Sequence, residues 1–378
     1  MDILSVDFAG IHLVSPLIVA SGPPTWSGAA MAECSRLGAG AVVTKTIVRH
    51  PKQNPCPRIA VHGKGMQNIE RYTEHSVEEW GQEIAVAKES GTVVFASLMG
   101  DSIDEVVRLA EQLQEYGVDG LELGISCPHA DSGRIVGANP DLVFEYTKGL
   151  VQHSSVPVMV KLSPNVSDIA EIAMAAEAGG ADALSAIDTV RCLLGVDIET
   201  AKPLLPTFGG YSGQAIKPIA LAHVATIASS VKISVSGIGG ILSGDDAIEH
   251  MLLGASTFQI CTGILLKGFG LIAEINDRVG QYMAKHNYLS VDSFRGKALA
   301  HLLEFEEIDK RSVSAVISPE KCLSCGICQA CVYGAVKRFD EAFSICRDKC
   351  TGCGLCVWLC PAQAIRMEYN ISNSIAKS

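Results

Sequence analysis

The sequence is poor in aromatic residues and in charge. Phe, Trp and Tyr make up 6% of its 378 residues, and Asp, Glu, Lys and Arg together 19%. Its apolar mass, 48% of the chain, is therefore mostly aliphatic, which suits strands buried on both faces of a parallel sheet. A surplus of basic residues is also missing. Lys and Arg number 30 against 41 Asp and Glu, a net charge of −11, which argues against nucleic-acid phosphates or anionic membranes as partners. No apolar run reaches the roughly 20 residues of a membrane-spanning helix. The opening stretch, MDILSVDFAGIHLVSP, has neither a basic nor a long apolar segment, so no signal peptide is expected and the cytoplasm is the expected compartment. The length suggests one large domain and a smaller one, because single cores stop growing at around 250–300 residues.

Cysteine is abundant, with 14 in the chain. Five are scattered, at Cys34, Cys56, Cys127, Cys192 and Cys261, and nine fall between 322 and 360. A secreted disulfide scaffold would be short, so this cluster is read as metal-binding. The run Cys350-Thr-Gly-Cys353-Gly-Leu-Cys356-Val-Trp-Leu-Cys360-Pro361 has the bacterial 4Fe–4S spacing, in which the fourth thiolate serves the neighbouring cluster. The run at Cys322, Cys325, Cys328 and Cys331 is one residue shorter before its last cysteine, with Val332 in place of proline. One cluster is thus expected on Cys322, Cys325, Cys328 and Cys360, and a second on Cys350, Cys353, Cys356 and Cys331. Zinc is the competing reading, but two triplets with a Cys-Pro ending favour the iron–sulfur module. Cys346 lies outside the pattern and is read as a core residue.

The first three hundred residues alternate apolar runs with helical stretches. Strands are expected at 17–21, 41–46, 92–97, 120–126, 156–162, 183–188, 232–236 and 257–262, with helices such as 103–116 and 168–178 between them. Eight such units predict an α/β fold, a (β/α)8 TIM barrel. The competing open sheet lacks a G-x-G-x-x-G after its first strand. Chemistry-bearing residues cluster at the strand ends: Ala20-Ser21-Gly22, Thr44-Lys45, Gly124 to His129, Lys161 and Asp188-Thr189. A loop at 209–213 and the glycine-rich turns at Gly237 to Gly240 and Cys261-Thr262-Gly263 complete the set. Glycine-rich loops after the last two barrel strands commonly grip a phosphate. Lys45 and Lys161 could balance the electron-rich edge of a reduced flavin.

These segments, ASGP, TKT, MQNIE, SCPH, VKLSPN, DTV, GGYSG, AIKPIAL and GIGG in order, resemble the FMN-dependent dihydroorotate dehydrogenase family. With the two-cluster tail, the chain is most similar to the FMN/iron–sulfur subunit of the bacterial dihydropyrimidine dehydrogenases. The resemblance implies FMN and two 4Fe–4S clusters as cofactors. It implies FMN contacts at Ala20, Ser21, Thr44, Lys45, Lys161, Gly210, Ser212, Gly213, Gly239, Gly240, Cys261 and Thr262, with Gly22 in the same segment. It implies catalytic acid/base work for Cys127, and substrate contacts at Asn68, Ser126 and Thr189. Two positions depart from the family motif: Gly124 and Asp188 stand where it has Asn. A side-chain amide reads the alternating C=O and N–H edges of a pyrimidine, whereas glycine offers no side chain and a carboxylate only accepts. A substrate that is not a standard pyrimidine, bulkier or bearing a donor, is therefore expected.

The expected function is an FMN- and iron–sulfur-dependent oxidoreductase acting on a CH–CH or C=C bond. The alternatives are a true dihydropyrimidine or dihydroorotate dehydrogenase subunit, or a non-catalytic electron-transfer subunit that keeps the barrel as scaffold. No nicotinamide fingerprint occurs, so an external electron partner is expected, either an FAD/NAD(P)H flavoprotein subunit or a ferredoxin, in a homodimer or hetero-oligomer. The barrel is expected over 1–290. A helix and linker are expected over 291–316, amphipathic from 294 to 305, and the ferredoxin-like domain over 317–378.

Overall fold

The computed structural model describes residues 3–125, 136–310, 312–340 and 342–369. The chain divides into two compact units, Met1–Leu302 and Leu303–Ser378.

In the first unit, eight parallel strands close into a barrel. They are β1 (Leu17–Val19), β2 (Ala41–Val43), β3 (Val94–Leu98) and β4 (Gly120–Gly124). The circle continues with β5 (Val158–Leu162), β6 (Ala183–Ala186), β7 (Ser234–Ile238) and β8 (Thr257–Ile260), which pairs back onto β1. Each strand end sits within three residues of its expected place: β2 ends three residues early, and β7 is displaced two residues late at both ends. Their side chains are nearly all buried, consistent with a sheet covered by helices outside and filled by side chains inside. The helices start on short polar side chains that accept first-turn N–H bonds. Ser102 caps the helix after β3, Asp168 caps the one after β5, and Ser76 forms a full capping box with Glu79 after β2. An antiparallel hairpin, Val6–Phe8 with Ile11–Leu13, precedes the barrel and packs Phe8 edge-on to Phe95 at 6.4 Å.

Long excursions leave the barrel after β2 and after β6, and they meet. Ile59–His62, Gly65–Asn68, Gly209–Ser212 and Val190–Cys192 form one four-stranded antiparallel sheet. The segment at 209–213, expected as a loop, is therefore largely a strand. Its register sets Gly210 opposite Asn68 and Ser212 opposite Met66. Fully buried Gln67 locks this sheet, donating to the Thr207 carbonyl at 2.9 Å and accepting from the Leu194 N–H at 2.9 Å.

The helix expected over 294–305 does not form. Only single 3₁₀ turns occur there, at Val291–Ser293 and Leu299–His301, and Gly296 between them has φ +71°, which breaks a right-handed helix. Val313–Ile317, all but its last residue expected in the linker, is a strand of the second unit, paired antiparallel with Ile365–Tyr369. A second pair, Val336–Phe339 with Ala342–Ile345, completes that unit's strands among the described residues. No helix among the described residues is long and apolar enough to cross a membrane.

Candidate active site

The ends of the barrel strands, together with the four-stranded sheet, enclose a cleft with ≈ 1260 Å³ of empty space, part of it open to solvent. The sequence-predicted residues Ala20, Ser21, Gly22, Lys45, Lys161, Gly210, Ser212, Gly213, Gly239, Gly240, Cys261 and Thr262 all line it. So do Asn68, Gly124, Asp188 and Thr189. Thr44 does not. It is fully buried, and its Oγ1 accepts the backbone N–H of Ser97 at 3.0 Å. Thr46 lines the cleft instead, its hydroxyl 3.1 Å from those of both Ser21 and Ser97. Ser126 and Cys127 lie outside the described residues.

One side of the cleft is shaped to receive an anion. The Gly239–Gly240 turn after β7 adopts φ of +123° and +75°, and a Cβ on Gly240 would come within 2.5 Å of the Lys217 Cβ. Beside it, the helix Thr262–Lys267 begins at Cys261 with no side-chain cap. Its first N–H groups are therefore left for a ligand in the cleft. Thr262 donates to the Ser212 hydroxyl at 2.8 Å, joining this turn to the antiparallel sheet. Gly22 closes the wall by close approach, since a Cβ there would lie 2.5 Å from the Cys261 sulfur. Burial pushes the Cys261 thiol up to about 11, so it lines the cleft as a neutral group at physiological pH.

Two lysines reach the cleft, each with a buried carboxylate behind it. Lys45 Nζ donates to Glu70 at 2.6 Å, and Glu70 is also held by Arg58 at 3.0 Å. The Glu70 backbone N–H donates to Asn68 Oδ1 at 2.5 Å, so the amide NH₂ of Asn68 is what remains for a ligand. Lys161 Nζ lies 4.0 Å from Oε1 of Glu122, which is completely buried inside the barrel. Burial works to lower the Lys161 pKa, but the carboxylates of Glu122 and Asp188 outweigh it and hold the ammonium above its ordinary value. Burial raises the Glu122 pKa. Glu70 and Glu122 were missed by the sequence reading. The only available signal was that strand-end lysines in an apolar barrel need counter-charges.

The Asp188–Thr189 turn is fixed from below. Its first backbone N–H donates to Leu162, and Asn165 Nδ2 donates to the Thr189 carbonyl at 3.0 Å. Asp188 Oδ1 accepts the Thr189 N–H at 2.7 Å. Arg191 stacks its guanidinium 4.2 Å over the Phe208 ring. Among the described residues, a Cβ at Gly124 would meet only the Leu98 carbonyl at 3.5 Å and Met99 Cβ at 4.0 Å, which is ordinary contact distance.

In the second unit the thiols ring two cavities. Cys322, Cys325, Cys328 and Cys360 line one of ≈ 340 Å³. Cys331, Cys350, Cys353 and Cys356 line another of ≈ 840 Å³, whose wall Cys328 also touches. Among the described residues, no three His, Cys, Asp or Glu side chains are placed to hold a single metal ion. Backbone N–H groups already point at sulfur, Ala315 to Cys350 at 3.4 Å and Ala364 to Cys360 at 3.3 Å. Around Cys331 the N–H of Ala335, with those of its neighbours, holds the thiol below its usual range. An all-thiolate donor set of four per cavity, with N–H···S bonds, fits a pair of 4Fe–4S clusters. The barrel cleft, with its anion-ready turns and two lysines, fits a phosphorylated flavin.

Two family models match the chain. Residues 3–283 match the dihydroorotate dehydrogenase family model, and residues 347–366 match the 4Fe-4S binding domain model. The chain is 40% identical to the catalytic subunit of dihydroorotate dehydrogenase B (NAD(+)) of Pyrococcus abyssi, over 78% of this chain and 99% of that one. It is 33% identical to the NAD-dependent dihydropyrimidine dehydrogenase subunit PreA of Escherichia coli, over 87% and 85%. It is 32% identical to the chloroplastic dihydropyrimidine dehydrogenase (NADP(+)) of Arabidopsis thaliana, over 83% and 81%.

Proposed function

The chain belongs to the dihydroorotate dehydrogenase family, and we propose that within it this protein reduces, or in reverse oxidises, a cyclic amide other than the standard pyrimidines. It is an FMN- and iron–sulfur-dependent oxidoreductase of CH–CH bonds. FMN, when bound, supplies hydride transfer and exchanges single electrons with the clusters. The observation that carries the substrate reading is the cleft wall at Gly124 and Asp188, where neither residue offers an amide. No described residue enforces glycine at 124 by packing, so its missing side chain is space a ligand can use.

We assign the roles as follows. Lys45 and Lys161 would balance the electron-rich edge of the flavin ring, and Gly239, Gly240 and Thr262 would take its phosphate. Asn68 and Thr189 orient the substrate amide, and Asp188 accepts from an N–H or cationic group on it. Cys127, three residues past the end of β4 in sequence, moves the proton at the substrate carbon. A thiol with a pKa near 8.5 can donate at neutral pH and accept after a modest shift. The two sets of four thiols hold two clusters, one on Cys322, Cys325, Cys328 and Cys360, the other on Cys331, Cys350, Cys353 and Cys356. Electrons come from a separate partner, a flavoprotein subunit with FAD and NAD(P)H or a ferredoxin. Two of the relatives above are themselves named as subunits of NAD-dependent enzymes.

A second reading, a dehydrogenase for dihydroorotate or a dihydropyrimidine, is favoured by the names of those relatives and by the presence of Asn68 and Thr189 in the cleft. Anaerobically prepared holoprotein separates the two. Titrations and turnover assays with uracil, thymine and orotate are expected to show weak binding and negligible turnover beside a panel of larger unsaturated cyclic amides. Tight uracil or orotate binding with turnover establishes the second reading instead. Unchanged turnover in Cys127→Ala removes the thiol from the mechanism.

A further inference from the structure

Glu122 has no part in the roles just assigned, yet its position is unusual. It lies on β4 inside the barrel, completely buried, directly behind Lys161, which lines the cleft. One carboxyl oxygen, Oε2, accepts from the Ser185 hydroxyl at 3.0 Å. The other, Oε1, has no hydrogen-bond partner among the described residues and is 4.0 Å from Lys161 Nζ, beyond hydrogen-bond length. The charged groups that face Glu122 are Lys161 from β5 and Asp188 beyond β6; the Ser185 hydroxyl on β6 is its hydrogen-bond donor, and the Ser97 hydroxyl on β3 lies nearby. One ammonium thus stands between a buried carboxylate, a second carboxylate and the cleft.

We propose that Glu122 is a positioning residue that takes up a proton from solvent when negative charge is placed on the cleft side of Lys161. The argument is one of charge balance. While the cleft holds a neutral ring edge, Lys161 compensates Glu122. When the ring edge becomes anionic, the same ammonium must compensate it as well. Of the two carboxylates near Lys161, Glu122 is the more deeply buried and has an oxygen without a donor, so it is the group that gives up its charge. Burial already biases it in that direction. The balance for reduction by dithionite is as follows. Two electrons and one proton go to the flavin ring, leaving it singly negative. A second proton goes to Glu122, and both protons return to solvent on reoxidation.

The test uses the full chain loaded with FMN and clusters. The flavin midpoint potential is followed by its visible bands across a pH series, in wild type and Glu122→Gln. Above the ordinary carboxylate range the wild type is expected to take up one more proton per two electrons than the variant. A reduced-minus-oxidised infrared difference spectrum is expected to gain a protonated-carboxyl band that the variant lacks. Equal pH slopes in the two proteins overturn the proposal. If Glu122→Gln does not load flavin, wild type carrying ¹³C-carboxyl glutamate decides alone, since no isotope-shifted protonated-carboxyl band on reduction also overturns it. The outcome is separable from the substrate reading. Turnover of uracil refutes that reading and leaves the proton count at Glu122 untouched.

Discussion

Gly124→Asn is the most direct perturbation of substrate choice. Among the described residues the new Cβ meets the Leu98 carbonyl at 3.5 Å and Met99 Cβ at 4.0 Å, ordinary contacts that displace none of their backbone. The amide then enters the cleft beside Lys161, the residue opposite Gly124 in the β4–β5 register. An amide that satisfies one C=O or N–H of a pyrimidine ring is worth ~1–3 kcal/mol, roughly a 10- to 100-fold gain in affinity. Asp188→Asn offers a second such contact and can keep the bond that Asp188 Oδ1 accepts from the Thr189 N–H. Anaerobic titration of the flavin absorption bands with uracil and orotate measures both, and Gly124→Ala controls for added bulk without an amide. We expect each amide variant to tighten pyrimidine binding by that factor and Gly124→Ala to leave it unchanged. The two substitutions are expected to be non-additive, because both flank the same ligand. The reasoning fails if wild type already binds uracil tightly, or if flavin-loaded Gly124→Asn binds it no better than wild type does.

Three further outcomes follow from the geometry. Gly22→Ala places its methyl 2.5 Å from the Cys261 sulfur, with every other neighbour at 3.7 Å or beyond; flavin content per chain is expected to fall, and to recover in the Gly22→Ala/Cys261→Ala double variant. Thr44→Val removes the acceptor of the Ser97 N–H in a fully buried position. A loss of about 1–2 kcal/mol in urea unfolding is expected, with flavin affinity unchanged; weakened flavin binding at full stability would return Thr44 to the cleft. His250 is fully buried, and burial first of all pushes its pKa down to about 4, against 6.5 ordinarily. The unfolded chain therefore binds a proton that the folded barrel refuses, so stability falls as pH drops from 6.5 toward 4, by up to about 3 kcal/mol. His250→Gln is expected to flatten that slope in denaturant titrations run at each pH, and an unaltered slope would count against it.

The barrel was legible because its signal is local. Aliphatic runs of strand length alternate with capped helices, and chemistry gathers at one end of each strand. What escaped the sequence depends on partners far along the chain. Gly209-Gly210-Tyr211-Ser212 reads as a turn because its glycines carry no β preference. It becomes a strand because it is paired on both sides, by Val190–Cys192 and by Gly65–Asn68, the latter more than a hundred residues earlier. Thr44 and Thr46 share a parity, so alternation alone puts them on one face. β2 ends at Val43, however, and beyond it Thr44 is still tied to β3 while Thr46 reaches the cleft. Glu122, one acid in the apolar run Gly120-Leu121-Glu122-Leu123-Gly124, looks like the exposed position of a half-buried strand. Only the closed barrel shows that this position points inward.

The irregular cysteine run shows how a spacing that departs from the usual pattern still serves its geometry. Both runs turn at a glycine in the left-handed region, Gly326 at φ +77° and Gly354 at φ +77°, after which the chain coils toward its last cysteine. In the regular run that coil is an α-helix of five residues, Leu355–Leu359, which rises about 7.5 Å at 1.5 Å per residue. In the short run it is a 3₁₀ turn of four residues, Ile327–Ala330, which rises about 8 Å at 2.0 Å per residue. The tighter coil advances further per residue, so one residue fewer covers the same distance. Cys331 consequently lines the same cavity as Cys350, Cys353 and Cys356, and Cys360 the same cavity as Cys322, Cys325 and Cys328. The missing residue alters how the chain turns and leaves the reach of Cys331 intact.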